Sequence, residues 1–129
     1  MDMRVVIFED DRELAEALQD YMQGSHFKVT TCYNLATPEW KECEVVIGDF
    51  RNAIVEFESL RKECVRLGLP LLAISGAETG YSPQLLKPFT TEDLKNAIFD
   101  TLANANRLGI KRAPVAKRSF FSRLFGAFE

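Results

Sequence analysis

The sequence predicts an α/β fold in one domain, and three observations carry that prediction. Short β-branched and apolar runs alternate with segments of helical period. Residues able to do chemistry stand at the carboxyl ends of those runs. The 129 residues, 47% hydrophobic, can bury a core without disulfide or metal staples.

Met3 to Phe8 is a nearly unbroken apolar run, as expected of a strand covered on both faces. Leu14, Leu18, Tyr21 and Met22 then form a helical stripe that Gly24 closes. Phe27 to Cys32 alternates as a second strand. The Thr37-Pro38-Glu39-Trp40 stretch predicts a helix of about two turns, because Glu44 to Gly48 is already the third strand. Ile54, Phe57, Leu60, Cys64 and Leu67 mark a third helix, stopped by Gly68, and Leu69 to Ile74 is a fourth strand. After the short run Gln84-Leu85-Leu86, Thr90 and Asp93 form a capping box. It opens a last helix lined by Leu94, Ala97, Ile98, Thr101, Leu102 and Ala105.

Composition excludes several classes. Cys32, Cys43 and Cys64 are an odd set without CxxC spacing, and His26 is the single histidine. Disulfide frameworks, zinc cages and Ser-His or Cys-His hydrolases are therefore not expected, and reduced thiols fit a cytoplasmic protein. No apolar run approaches the ~18 residues of a membrane span. The first apolar stretch ends at once in Glu9-Asp10-Asp11, which is unlike a secretory signal. Charge divides the chain: residues 1–106 carry 10 basic and 18 acidic side chains, and residues 107–129 carry 6 and 1. We expect an acidic domain over 1–106 and a basic tail over 107–129.

Four strand ends deliver polar groups. Glu9, Asp10 and Asp11 follow the first, Asp49 the third, Ser75 the fourth, and Lys87 the short fifth run. In an open parallel sheet these ends share one edge, where ligands bind at the switch in strand order. Each has an ordinary reading taken alone: an acidic helix entry, a loop acid, a Ser-Gly turn, a Lys-Pro loop. Together, in this order, they outweigh it. GxGxxG and GxxxxGK[ST] are absent, and three acids replace the cradle a flavin protein needs after its first strand, so a flavin or nucleotide enzyme is disfavoured. Arg51 occupies the place where an aspartate-nucleophile phosphohydrolase would want its second acid.

Over roughly residues 3 to 105, the ordered set VVIFEDD, VVIGDF, LLAISGA and LLKPFTTEDL resembles the receiver domain of bacterial response regulators, the CheY-like family. The resemblance implies a doubly wound, five-stranded parallel sheet of order 2-1-3-4-5 in the flavodoxin-like receiver fold. It implies Asp49 as phosphoacceptor, Ser75 and Lys87 as groups that hold the phosphoryl oxygens, and a cis peptide between Lys87 and Pro88. It also implies Mg²⁺ held by Asp10, Asp49, Glu9 through water, and the backbone carbonyl of Arg51, with Asp11 just outside. Hard oxygen donors without histidine or thiolate suit that ion. The donor would be a sensor histidine kinase or a phosphotransfer protein, and the protein itself is modified rather than turning over a substrate.

The chain departs from the family in three places. Only Gly76 to Pro83 separate the fourth and fifth strands, so the fourth helix of the family is expected to be missing or reduced to one turn. Gln84 replaces the switch aromatic three residues before the lysine. Tyr81 is a nearby substitute, although a solvated loop tyrosine is the plainer reading. Finally, Phe50-Arg51-Asn52 lacks the usual proline-glycine turn.

In the tail, Phe120, Phe121, Leu124, Phe125 and Phe128 share one side at helical spacing. A peptide that docks on a downstream protein fits best. Packing back on the body, where the fourth helix is lost, is the structural alternative. A membrane surface or a phosphate-bearing second messenger is a weaker reading, and sequence-specific DNA binding is not expected. The leading expectation is thus a phospho-accepting receiver. The alternative is a receiver-like scaffold that binds its partner regardless of phosphorylation.

Overall fold

The structure, a computed structural model, describes residues 3–23, 26–36 and 38–107. Its elements are β1 (Met3–Phe8), α1 (Arg12–Met22), β2 (Phe27–Thr31), β3 (Val45–Asp49), α2 (Phe57–Leu67), β4 (Leu71–Ser75), β5 (Gln84–Leu86) and α3 (Thr91–Arg107). The five strands form one parallel sheet in the order β2-β1-β3-β4-β5, as the resemblance implies.

The near-continuous hydrophobicity of β1, β3 and β4 follows from burial on both faces. Val5, Ile7, Ile47 and Ile74 point to one side, where α1 contributes Leu18 and Met22 and α3 contributes Leu94, Ile98 and Leu102. Val6, Phe8, Val46 and Ala73 point to the other, where α2 contributes Phe57, Leu60 and Cys64. Alternation along each strand therefore sorts the two half-cores. The helix ends are specified locally. Asp11 caps α1 by accepting from the Leu14 amide at 3.2 Å. Gly68 closes α2 at φ 69°, a left-handed conformation costly for a side-chain-bearing residue. Thr90 and Asp93 make the expected box before α3, each backbone N–H donating to the other side chain at 3.0 Å.

Three expectations need correction, and a fourth falls on a residue outside those described. Between β2 and β3 the described residues form no helix, only two turns in which Glu42 and Cys43 donate to the carbonyls of Glu39 and Trp40. Packing holds this segment instead: Trp40 stacks on Phe8 at 6.1 Å and donates its indole N–H to Leu35, while buried Cys43 bonds the Val45 carbonyl. Tyr21 lies outside the buried stripe of α1, whose core residues are Ala15, Leu18 and Met22. Ile54 is exposed and precedes α2, which begins only at Phe57. The proposed stop at Gly24 lies outside the described residues; Gln23 is the C-cap.

The shortened β4–β5 connection is as expected. Gly76 to Pro83 contain no helix and cross as an irregular loop, with Gly80 at φ 80°. The Lys87–Pro88 peptide is cis, as is Ser82–Pro83. No helix among the described residues is long and apolar enough to cross a membrane. The tail readings on Phe120, Phe121, Leu124, Phe125 and Phe128 lie outside the described residues.

Candidate functional site

Parallel strands bring their carboxyl ends to one edge, and registry does the rest. Phe8 pairs with Gly48, Asp49 with Ile74, and Ser75 with Leu86. The residue after β1, the last of β3, the last of β4 and the residue after β5 are thereby aligned. They are Glu9, Asp49, Ser75 and Lys87. The Lys87 amide donates to the Ser75 carbonyl at 2.7 Å, extending the ladder to the lysine itself.

Glu9, Asp10 and Asp49 each offer a carboxylate oxygen within 4.8 Å of the others. At an effective dielectric of 20, each pair at that separation repels by about 3 kcal/mol. The ammonium of Lys87 relieves part of this, standing 2.7 Å from Glu9 Oε1 and 3.8 Å from Asp49 Oδ2. Glu9 is 1% exposed, Asp49 7% and Ser75 1%, so these groups are set into the protein and not spread over its surface. Burial pushes the Glu9 carboxyl up to about 7, with the Lys87 hydrogen bond opposing and neighbouring Asp49 adding to the rise. Asp10 moves the other way, lowered chiefly by the hydrogen bond it accepts from the Ala53 amide at 2.8 Å.

The backbone around the acids is organised without the family's proline-glycine turn. Arg51 donates its amide to Asp49 Oδ1 at 3.3 Å, and Asn52 Oδ1 accepts from the amides of both Ile54 and Val55 at 2.8 Å. Phe50 tucks against Phe57, ring centroids 4.9 Å apart. Ser75 Oγ accepts from the Ala77 amide at 3.2 Å, which orients the hydroxyl at the head of β4. Asp11 is spent on capping α1 and contributes no oxygen to the acid cluster.

Two contributors were not read from the sequence. Ala53 holds Asp10 through its amide, an interaction that side-chain identity does not encode. Gly48, immediately before Asp49, lets α2 approach the sheet: an added Cβ would lie 2.7 Å from Leu60 Cδ2. A glycine inside an otherwise β-branched strand was the available signal.

Gln84, in the place of the switch aromatic, clamps the β4–β5 loop. Its Oε1 accepts from the Thr79 amide and hydroxyl at 3.1 and 2.8 Å, and its Nε2 bonds Glu78. Tyr81 is not a solvated loop side chain: it is half-buried, with its ring edge-on to Phe57 at 5.1 Å.

The donor set fits a hard divalent cation. It is all oxygen, it converges, and one ammonium among three carboxylates leaves two formal charges to balance when all are ionised.

No protein-family model matches this sequence, and no curated relative does. Solved structures do. A signal receiver domain from Vibrio parahaemolyticus is similar with a TM-score of 0.70 at 15% identity, covering 88% of this chain and 100% of its own. A CheY-like response regulator receiver domain from Methanospirillum hungatei JF-1 gives 0.66 at 15%, with 83% and 98% covered. The chemotaxis response regulator CheY4 of Vibrio cholerae gives 0.63 at 16%, with 79% and 100% covered. Strand order, the aligned strand ends and these likenesses agree: the chain has the fold of a response-regulator receiver domain.

Proposed function

We propose that this chain is a signalling receiver that accepts a phosphoryl group on Asp49 from a phosphohistidine of a sensor kinase or phosphotransfer protein. One observation carries the reading: acids from β1 and β3 converge within 4.8 Å, beside an ammonium from the end of β5. A helix, a strand and some forty residues separate those acids in sequence, and a merely solvated acidic surface would not bury two of them.

In the reaction, an Asp49 carboxylate oxygen attacks phosphorus, the P–N bond to histidine breaks, and an acyl phosphate forms while the imidazole leaves with the bonding pair. Such transfers need positioning and charge neutralisation more than covalent help. Mg²⁺, when bound, supplies that neutralisation. Asp10, Asp49 and the Arg51 carbonyl would hold it directly, and Glu9 through water. The Ala53 amide keeps one Asp10 oxygen occupied and the carboxylate ionised. Lys87 and the Ser75 hydroxyl hold the phosphoryl oxygens. The protein is the substrate of this step and releases no product of its own, and its output is a contact with another protein.

A second reading has its own support. The missing β4–β5 helix and the engagement of Gln84 by Thr79 leave the usual relay without its parts, which favours a scaffold indifferent to phosphorylation.

Intact-mass spectrometry after incubation with Mg²⁺ and a small phosphodonor tests the assignment. A single phosphoryl adduct, lost in Asp49→Asn and on chelation, is expected. An adduct that persists in Asp49→Asn would refute the acceptor assignment. Partner affinity unchanged by phosphorylation would favour the scaffold.

A further inference from the structure

The β4–β5 loop and α3 enclose a concavity of about 700 Å³ that reaches Tyr81, Pro83, Ala97 and Asn104. A second concavity of about 280 Å³ continues from the other side of Tyr81–Pro83, between α2 and α3. Its wall includes Cys64, Val65, Leu69, Leu71 and Ala105. Asn104, Tyr81, Ser82 and Pro83 line both, so the two adjoin along α3 as a groove that the Tyr81–Pro83 loop divides. Val65 is 69% exposed at its edge, a large apolar side chain that nothing among the described residues covers.

We propose that this groove is the docking site of the chain's own C-terminal segment, residues 119–129. Three features of the chain select that occupant. First, the segment is tethered at the groove. α3 ends at Arg107, and its last turns, through Asn104 and Ala105, are part of the groove wall. The eleven residues 108–118 span up to about 40 Å when extended. Second, shape and polarity agree. Residues 119–129 as a helix would measure about 16 Å, the length of α2, and would present Phe120, Phe121, Leu124, Phe125 and Phe128 on one side. Third, charge agrees. Along the tether, Glu78 and Asp100 line the groove with Arg61 as the one basic residue in its wall, and the linker 108–118 carries 4 basic and no acidic side chains. Tethering also makes docking intramolecular, with an effective concentration that a free partner must exceed. A short amphipathic helix is marginal in isolation, and the groove supplies the missing contact. This inference is independent of phosphorylation: it concerns a surface away from the acid cluster and stands or falls without it.

The test uses the full chain and thiol labelling, since the native thiols are buried and Cys32 and Cys43, away from the groove, serve as internal controls. Val65→Cys places a reporter in the groove, and Tyr21→Cys, at a site 68% exposed on α1, places one away from it. Each is made in the native-tail background and with Phe121→Asp and Phe125→Asp added. Docking predicts that maleimide labels the groove reporter at least ~10-fold faster when the tail is altered, as expected if labelling waits on local opening. The α1 reporter should not change. Equal groove rates in both backgrounds overturn the proposal, because a tail that docks on another protein or a membrane leaves the groove open. Protection that disappears on dilution also overturns it, since the occupant is then a second copy. Hydrogen exchange over Ala97–Ala105 in chains without reporters gives a second readout. Slower exchange with the native tail supports docking, and identical exchange refutes it.

Discussion

Replacing Lys87 by methionine keeps most of the side-chain volume and removes the one cation seen among the three acids. The bare attractions lost are sizeable: at an effective dielectric of 20, 2.7 Å to Glu9 and 3.8 Å to Asp49 correspond to about 6 and about 4 kcal/mol. The net loss is smaller, because Glu9 has an escape. It is held at about 7 even with Lys87 present, so without the ammonium it takes up a proton. At pH 8, about one unit above that value, protonation costs about 1.4 kcal/mol. The weaker link to Asp49, discounted because Lys87 is 27% exposed, adds about 1 kcal/mol. Lys87→Met should therefore lose about 2 kcal/mol at pH 8 in chelator, and less than about 1 kcal/mol at pH 6, where Glu9 is already protonated. Urea denaturation at the two pH values reads the difference, and the Glu9→Gln background should remove most of it. A variant as stable as the parent at pH 8, or a loss equal at both pH values, would refute this electrostatic reasoning.

Further outcomes follow from the same structure. Because folding raises the Glu9 carboxyl from 4.5 to about 7, its stabilising contribution is complete below about pH 4.5 and is lost as pH rises through about 7. The parent in chelator should thus lose stability relative to Glu9→Gln over that window, and equal pH profiles would contradict it. Gly48→Ala forces a Cβ to within 2.7 Å of a Leu60 methyl in a packed core and should cost about 1–2 kcal/mol in urea denaturation, whereas no loss would show that α2 yields freely. Thr90→Ala removes the acceptor for the Asp93 amide and should cost about 1 kcal/mol, read as a lower thermal midpoint. Burial pushes the Cys64 thiol up to about 12 and raises that of Cys32. Iodoacetamide at pH 8 should therefore modify these thiols only after denaturant is added, and rapid native labelling would contradict the burial.

Much of this was legible in the chain because strands buried on both faces announce themselves. Met3–Phe8 could be bounded correctly, and the order of Glu9, Asp10, Asp49, Ser75 and Lys87 along the strand ends carried the site. The capping box at Thr90 was visible because it is local: its two partners are three residues apart. What escaped depends on contacts between distant residues. The β2–β3 segment has a helix-opening Thr-Pro-Glu pattern, yet Trp40 on Phe8 and buried Cys43 determine its path. Tyr21 lies on the apolar side by period, but no element among the described residues covers it, and it is 68% exposed. The hold of Ala53 on Asp10 is a backbone contact across 43 residues, invisible to any reading of side-chain types. Gln84 looked like the loss of an aromatic and is instead the clamp of a loop.

The central claim is that Glu9, Asp10 and Asp49 form a cation site that includes the proposed phosphoacceptor, Asp49. Calorimetric titration of the full chain with Mg²⁺ addresses it most directly. The account predicts uptake of a single ion, abolished in Asp49→Ala and in Asp10→Ala. No uptake by the parent protein, or uptake unaltered by both substitutions, would contradict it.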